Sequence, residues 1–168
     1  MKKYLFTVLL TLIGVLVLAA PPAFSEAERS QNGLFPDEII SADELKQISD
    51  WHQNFVLFDA RDKRSFDSAH IRGALLPRTE DYYKQEELFR SGVVPAAPEP
   101  DAALKEAMQK YVHDTPIVTY CNSNCHASST LALQLKTLGF TKVRSMEEGI
   151  QVWEKKEYPV VRPARLPS

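Results

Sequence analysis

Apolar residues in this chain fall into short blocks, and the spacing inside the blocks switches between strand-like and helical. Residues 117–120, Ile-Val-Thr-Tyr, form a short apolar run rich in β-branched side chains. That is the pattern of a strand covered on both faces of a parallel sheet. From about Ser128 the period changes: Leu131, Ala132, Leu135 and Leu138 recur at helical spacing, and Gly139 supplies the stop. Residues 55–58 predict a second buried strand ending at Asp59, residues 73–77 a third after a turn, and residues 142–145 a last one. Helical segments come between them. Ser41 followed by Glu44 fits a capping box for a short helix that turns Leu45 and Ile48 inward. Residues 63–68 suffice for one or two helical turns, and 82–90 have helical composition. Residues 101–113 set Leu104, Met108 and either Tyr111 or Val112 on one side. Residues 147–153 lead into a final helix with Trp153 inward, and Trp51 is likewise read as core. Residues 93–100 hold three prolines and read as loop, either a flap or a plain surface excursion. The alternation predicts an α/β domain with a mainly parallel central sheet flanked by helices on both faces.

The ends of the chain differ from its middle. Lys2 and Lys3 precede an apolar run over residues 5–18, and Ala23-Phe24-Ser25 fits a small-x-small cleavage rule. Residues 1–25 are therefore read as a secretory signal peptide cut after Ser25, with an uncleaved membrane anchor as the alternative. Either way the folded part is expected outside the cytoplasm, periplasmic or secreted. Residues 26–36 read as a linker, 37–162 as the domain and 163–168 as a tail, within a proline-rich stretch that begins at Pro159. Cleavage removes two lysines and no acid, taking the formal charge from −2 to −4. A mildly acidic chain without a basic stripe argues against nucleic acid as a partner. A membrane contact is expected only if the N-terminal segment stays attached. About 140 residues remain, enough for one core and too few for two.

The candidate chemistry lies between the central strand and its helix, in Cys-Asn-Ser-Asn-Cys-His-Ala over residues 121–127. A cysteine at the carboxyl end of a strand faces the amino terminus of the next helix, where free N–H groups favour thiolate over thiol. Ligands of such sheets gather at the carboxyl ends of the strands, where Asp59 also falls. Two cysteines are too few for a disulfide framework, but Cys121 and Cys125 can pair with each other in an oxidising compartment.

Four blocks then fall in the order of a known family. Residues 57–61 (Leu-Phe-Asp-Ala-Arg) resemble its D-x-R strand end. Residues 69–74 (Ala-His-Ile-Arg-Gly-Ala) resemble its G-H-I-P-G-A turn, and Tyr120-Cys121 opens the reactive loop. Residues 147–153 with Tyr158-Pro159-Val160 resemble its E-G-G-x-x-x-W…-x-P-V ending. Over roughly residues 37–161 the chain resembles a single-domain rhodanese, a sulfurtransferase. The resemblance implies a rhodanese-like α/β fold, with Cys121 attacking a sulfane-sulfur donor and carrying the sulfur as a persulfide. The donor would be a small sulfur compound or a protein persulfide. Asn122, Ser123, Asn124, Cys125, His126, Ala127 and Ser128 would form the substrate-binding loop, with no cofactor and no metal centre required.

The loop departs from the family's usual C-x-x-G-x-R-S. It is one residue longer, and no arginine lies in it: counting back from Gly139 puts Ala127 at that place, and counting forward from Cys121 puts His126 there. Phosphatase chemistry, which shares the fold and relies on the arginine, is thereby disfavoured, and a dianionic donor such as thiosulfate is poorly served. Arg61, Asp59 and His70 are candidates for anion binding or for scaffold. Cys125 has three readings: a resolving thiol that closes a Cys121–Cys125 disulfide, a small residue in place of the loop glycine, or a soft-metal ligand with Cys121 and His126. Two functions from different classes stand: an exported sulfurtransferase, or a non-catalytic or thiol-redox module that uses Cys121 and Cys125 for disulfide exchange or partner binding.

Overall fold

The computed structural model of the chain describes residues 30–78 and 99–163. The segment 1–25, the helical composition at 82–90 and the proline loop over 93–98 lie outside the described residues. Four parallel strands make the central sheet, in the order β3 (Ala74–Leu75), β1 (Val56–Asp59), β4 (Ile117–Tyr120), β5 (Val143–Met146). Strand β4 is central and buried along its whole length, as its unbroken apolar run predicts. Because side chains alternate across a strand, each face carries its own core. Leu57, Val118, Tyr120 and Met146 pack with Leu45 of α1 (Ala42–Asp50) and with Ile150 and Trp153 of α5 (Gly149–Lys155). Phe58, Ile117 and Val143 pack on the other side with Leu104 and Met108 of α3 (Ala102–Met108) and Leu131 and Leu135 of α4 (Ala127–Thr137). A short helix α2 (Lys63–Ser68) follows β1. The architecture is the α/β fold read from the pattern.

The helix ends follow local chemistry. Ser41 Oγ accepts from the Glu44 amide, one half of the expected capping box; the Glu44 carboxylate reaches across to Arg144 instead. Helix α4 closes in a Schellman motif, with Phe140 N–H donating to Leu135 O and Gly139 N–H to Lys136 O, at a Gly139 φ of +92°. Helix α3 begins at its Asp101 cap and ends at Met108, five residues short of the expected stop. Past its end Tyr111 meets Phe58 edge to face while Val112 is 68% exposed, which settles the choice between them.

Three expectations need correction. Trp51 is 65% exposed, because it caps the end of α1 and not the apolar face. The strand at the end of the sheet is not the last: Val160–Val161 forms β6, antiparallel to β2 (His70–Ile71), so the proline-rich stretch opens with a strand. Part of the stretch read as a linker also packs onto the domain. Leu34 is fully buried with Leu131, Leu135 and Phe140, an anchor too short to show periodicity.

Candidate functional site

Strand register decides what meets at the carboxyl edge of the sheet. Asp59 pairs with Tyr120, and Tyr120 with Met146, so the ends of β1, β4 and β5 lie level. Asp59 is fully buried, and Arg61 reaches back to it with both Nε and Nη2, the latter 2.6 Å from Oδ2. The same Nη2 donates to the Ala69 carbonyl at 2.6 Å. Tyr120 Oη donates to Asp59 Oδ2 at 2.6 Å and accepts from the Ile71 amide at 3.1 Å. Burial, followed by the Asp59 carboxylate, pushes the Tyr120 phenol well above its ordinary range, so it stays a donor. Every charge in this cluster is matched, the condition under which a buried ion pair is tolerated. Arg61 is thus spent on scaffold. His70 is also in the scaffold: its Nδ1 meets the Phe66 carbonyl at 2.9 Å, and its ring stacks on Phe66.

One residue further along β4 the chemistry changes. Cys121 is 2% exposed and forms a disulfide with Cys125, their Cα atoms 6.1 Å apart, inside the span such a bond requires. Of the three readings of Cys125, the pairing one describes the structure. Helix α5 holds the loop from below. Ile150 N–H donates to the Cys121 carbonyl at 2.9 Å, the Ser123 amide to Gln151 Oε1 at 2.7 Å, and Gln151 Nε2 to Asn122 Oδ1 at 3.0 Å. Ser123 Oγ donates to the Glu148 carbonyl, and Asn124 turns the chain at a φ of +60°. A methyl group on Gly149 would stand 2.2 Å from the Ser123 amide nitrogen, so the glycine at the start of α5 is what lets the loop lie there.

The helix terminus meets the second sulfur. The Ala127 amide points at Cys125 Sγ at 3.5 Å, while the Ser123 amide is taken by Gln151. In the disulfide form, then, these two amides are directed to Gln151 and to Cys125 and not to the Cys121 sulfur. Ser128 is buried at the first turn of α4; its carbonyl accepts from Thr119 Oγ1, and its own hydroxyl has no partner among the described residues. His126 lies exposed beside the loop with its Nδ1 on Asn32 Oδ1. Asn32 Nδ2 donates to Glu147 Oε1 at 2.9 Å, which also accepts from Ser129 Oγ at 2.9 Å. Asn32, Glu147, Gly149 and Gln151 were all missed as site residues. For Gly149 the glycine after two glutamates was the available signal; for Asn32 none exists, because the contact spans 94 residues. Among the described residues no cluster of three His, Cys, Asp or Glu side chains is arranged to hold a metal. A cleft lined by Asp37, Phe55, Pro116, Lys142 and Arg144 opens at the amino ends of the strands, away from the cysteines.

The Rhodanese-like domain family model matches residues 41–156. The chain belongs to the rhodanese-like domain family. Among solved structures, the rhodanese-like domain of an Anabaena sp. protein is 21% identical with a TM-score of 0.55, over 78% of this chain and 85% of that one. A polysulfide-sulfur transferase homodimer from Wolinella succinogenes is 16% identical with a TM-score of 0.51, over 77% and 82%. A thiosulfate sulfurtransferase from Pseudomonas aeruginosa is 18% identical with a TM-score of 0.50, over 75% of this chain and 20% of that one. At these identities the likeness is one of fold. No curated protein matches the chain by sequence. In this chain the second cysteine of the loop closes onto the first.

Proposed function

We propose that this protein is an exported sulfurtransferase that moves sulfane sulfur through a persulfide on Cys121. The reading is supported by the position of that sulfur: the end of the central strand of a rhodanese-like sheet, in a strand–loop–helix unit. The working form is the reduced one, since only a thiolate is a nucleophile. Cys121 then attacks the outer sulfur of the donor, and an acceptor thiol removes it. With Arg61 held by Asp59, the loop itself contains no arginine or lysine. A donor of low charge, such as polysulfide or a protein persulfide, fits this better than dianionic thiosulfate. Export rests on the segment 1–25.

The test uses protein recovered from the periplasmic fraction, whose intact mass also reports whether the chain begins at Glu26. Reduced and treated with polysulfide, it gains one sulfur, mapped to the peptide carrying Cys121. Cys121→Ser gains none. Equal labelling of Cys121→Ser and wild type would refute the assignment.

A further inference from the structure

Cys125 has a position that an incidental loop residue does not require. Its sulfur is bonded to that of Cys121 and receives the Ala127 amide at 3.5 Å, and Cys125 as a residue is less buried than Cys121. The loop that joins the two is pinned to α5 through Asn122 and Ser123, so the sulfurs are presented to each other by a supported turn. An amide at a helix terminus favours the thiolate. When the disulfide is open, Cys125 is therefore a nucleophile held within bonding reach of Cys121.

We propose, resting on the persulfide reading above, that Cys125 discharges the Cys121 persulfide and makes the protein a sulfide-releasing, dithiol-dependent persulfide reductase. In the loading step the Cys121 thiolate attacks the outer sulfur of R–S–SH, giving Cys121–S–SH and R–S⁻. In the second step the Cys125 thiolate attacks Cys121 Sγ, the Cys121 sulfur–sulfur bond breaks, and hydrosulfide leaves as the Cys121–Cys125 disulfide forms. The transferred sulfur is reduced to sulfide and the two cysteines are oxidised. A dithiol reductant, either a small dithiol or a protein carrying a vicinal pair, then attacks the sulfur of Cys125, the less buried of the two residues. Cys121 leaves as thiolate, and the reductant's second thiol frees Cys125, leaving the reductant as a disulfide. The disulfide in the structure is the product state of this cycle. The chemistry names two partners: a persulfide of low charge upstream and a dithiol reductant downstream.

The experiment loads reduced, desalted full-length protein with glutathione persulfide in the absence of other thiols and follows intact mass and sulfide together. Wild type passes through a species heavier by one sulfur to one lighter than the reduced protein by two hydrogens, with one equivalent of sulfide released. Dithiothreitol makes the release catalytic. Cys125→Ser, and Cys125→Ala as a second variant, stop at the sulfur-bearing species and release sulfide at least ~10-fold more slowly. If wild type keeps its added sulfur as long as the Cys125 variants do, internal discharge is wrong and sulfur transfer stands. If the Cys125 variants take up no sulfur at all, the persulfide reading fails and this inference with it.

Discussion

Neighbouring strand ends on the same edge of the sheet have opposite chemistry. At the end of β1, Asp59, Arg61 and Tyr120 form a buried cluster in which each charge and hydroxyl has its partner. At the end of β4, one residue past Tyr120, two sulfurs share a bond that a thiol can open, and a buried Ser128 hydroxyl has no partner among the described residues. The first is fixed by electrostatics in a medium where an unmatched charge is costly. The second is fixed by a reversible covalent bond and by the backbone of α5. The contrast explains how the edge can carry an arginine that is not turned to the loop: the guanidinium is paired with Asp59 of β1 and bonded to the Ala69 carbonyl just before β2.

The contrast is most exposed to removal of Asp59. Asp59→Ala leaves the Arg61 guanidinium buried without its counter-ion and Tyr120 without its acceptor. A loss of about 3–5 kcal/mol is expected in urea denaturation. A loss under about 1 kcal/mol would mean the cluster is not what fixes this edge. Gly149→Ala comes next. It forces a methyl group against the Ser123 backbone and places a side chain at a φ of +78°, so about 2–3 kcal/mol should be lost. Sulfur uptake by Cys121 should fall with it, because the loop is displaced; normal uptake would show that the loop does not depend on α5. The smallest effect belongs to the disulfide. Reduction opens a loop with a sequence separation of 4, and so short a closure contributes only about 1–2 kcal/mol. Denaturation with and without dithiothreitol measures it. A collapse of the fold on reduction would make the bond structural and not part of a cycle.

Legibility in the sequence tracked the range of the interaction. Ile117–Tyr120 was readable as the central strand because burial on both faces demands an unbroken apolar run, and Gly139 as a helix stop because a left-handed residue there favours glycine. The two cysteines, four apart, could be seen as a pair but not as a bonded one, since closure depends on the path of the intervening turn. Leu34 and Val160–Val161 went unread for a different reason. Each is a short apolar piece in polar or proline-rich surroundings, and only a distant surface makes it part of the core or of a sheet.

By itself, then, the sequence determined the alternation of strands and helices, the two-sided core, and the cysteine at the end of the central strand, because local periodicity and turn chemistry suffice for these. Tertiary structure alone decided that Arg61 serves Asp59 and not the loop, that Gly149 makes room for Ser123, that Asn32 reaches His126, and that the Cys121 sulfur meets Cys125. Each of these depends on directions and distances between elements, which are set when the sheet and helices pack and have no counterpart in spacing along the chain.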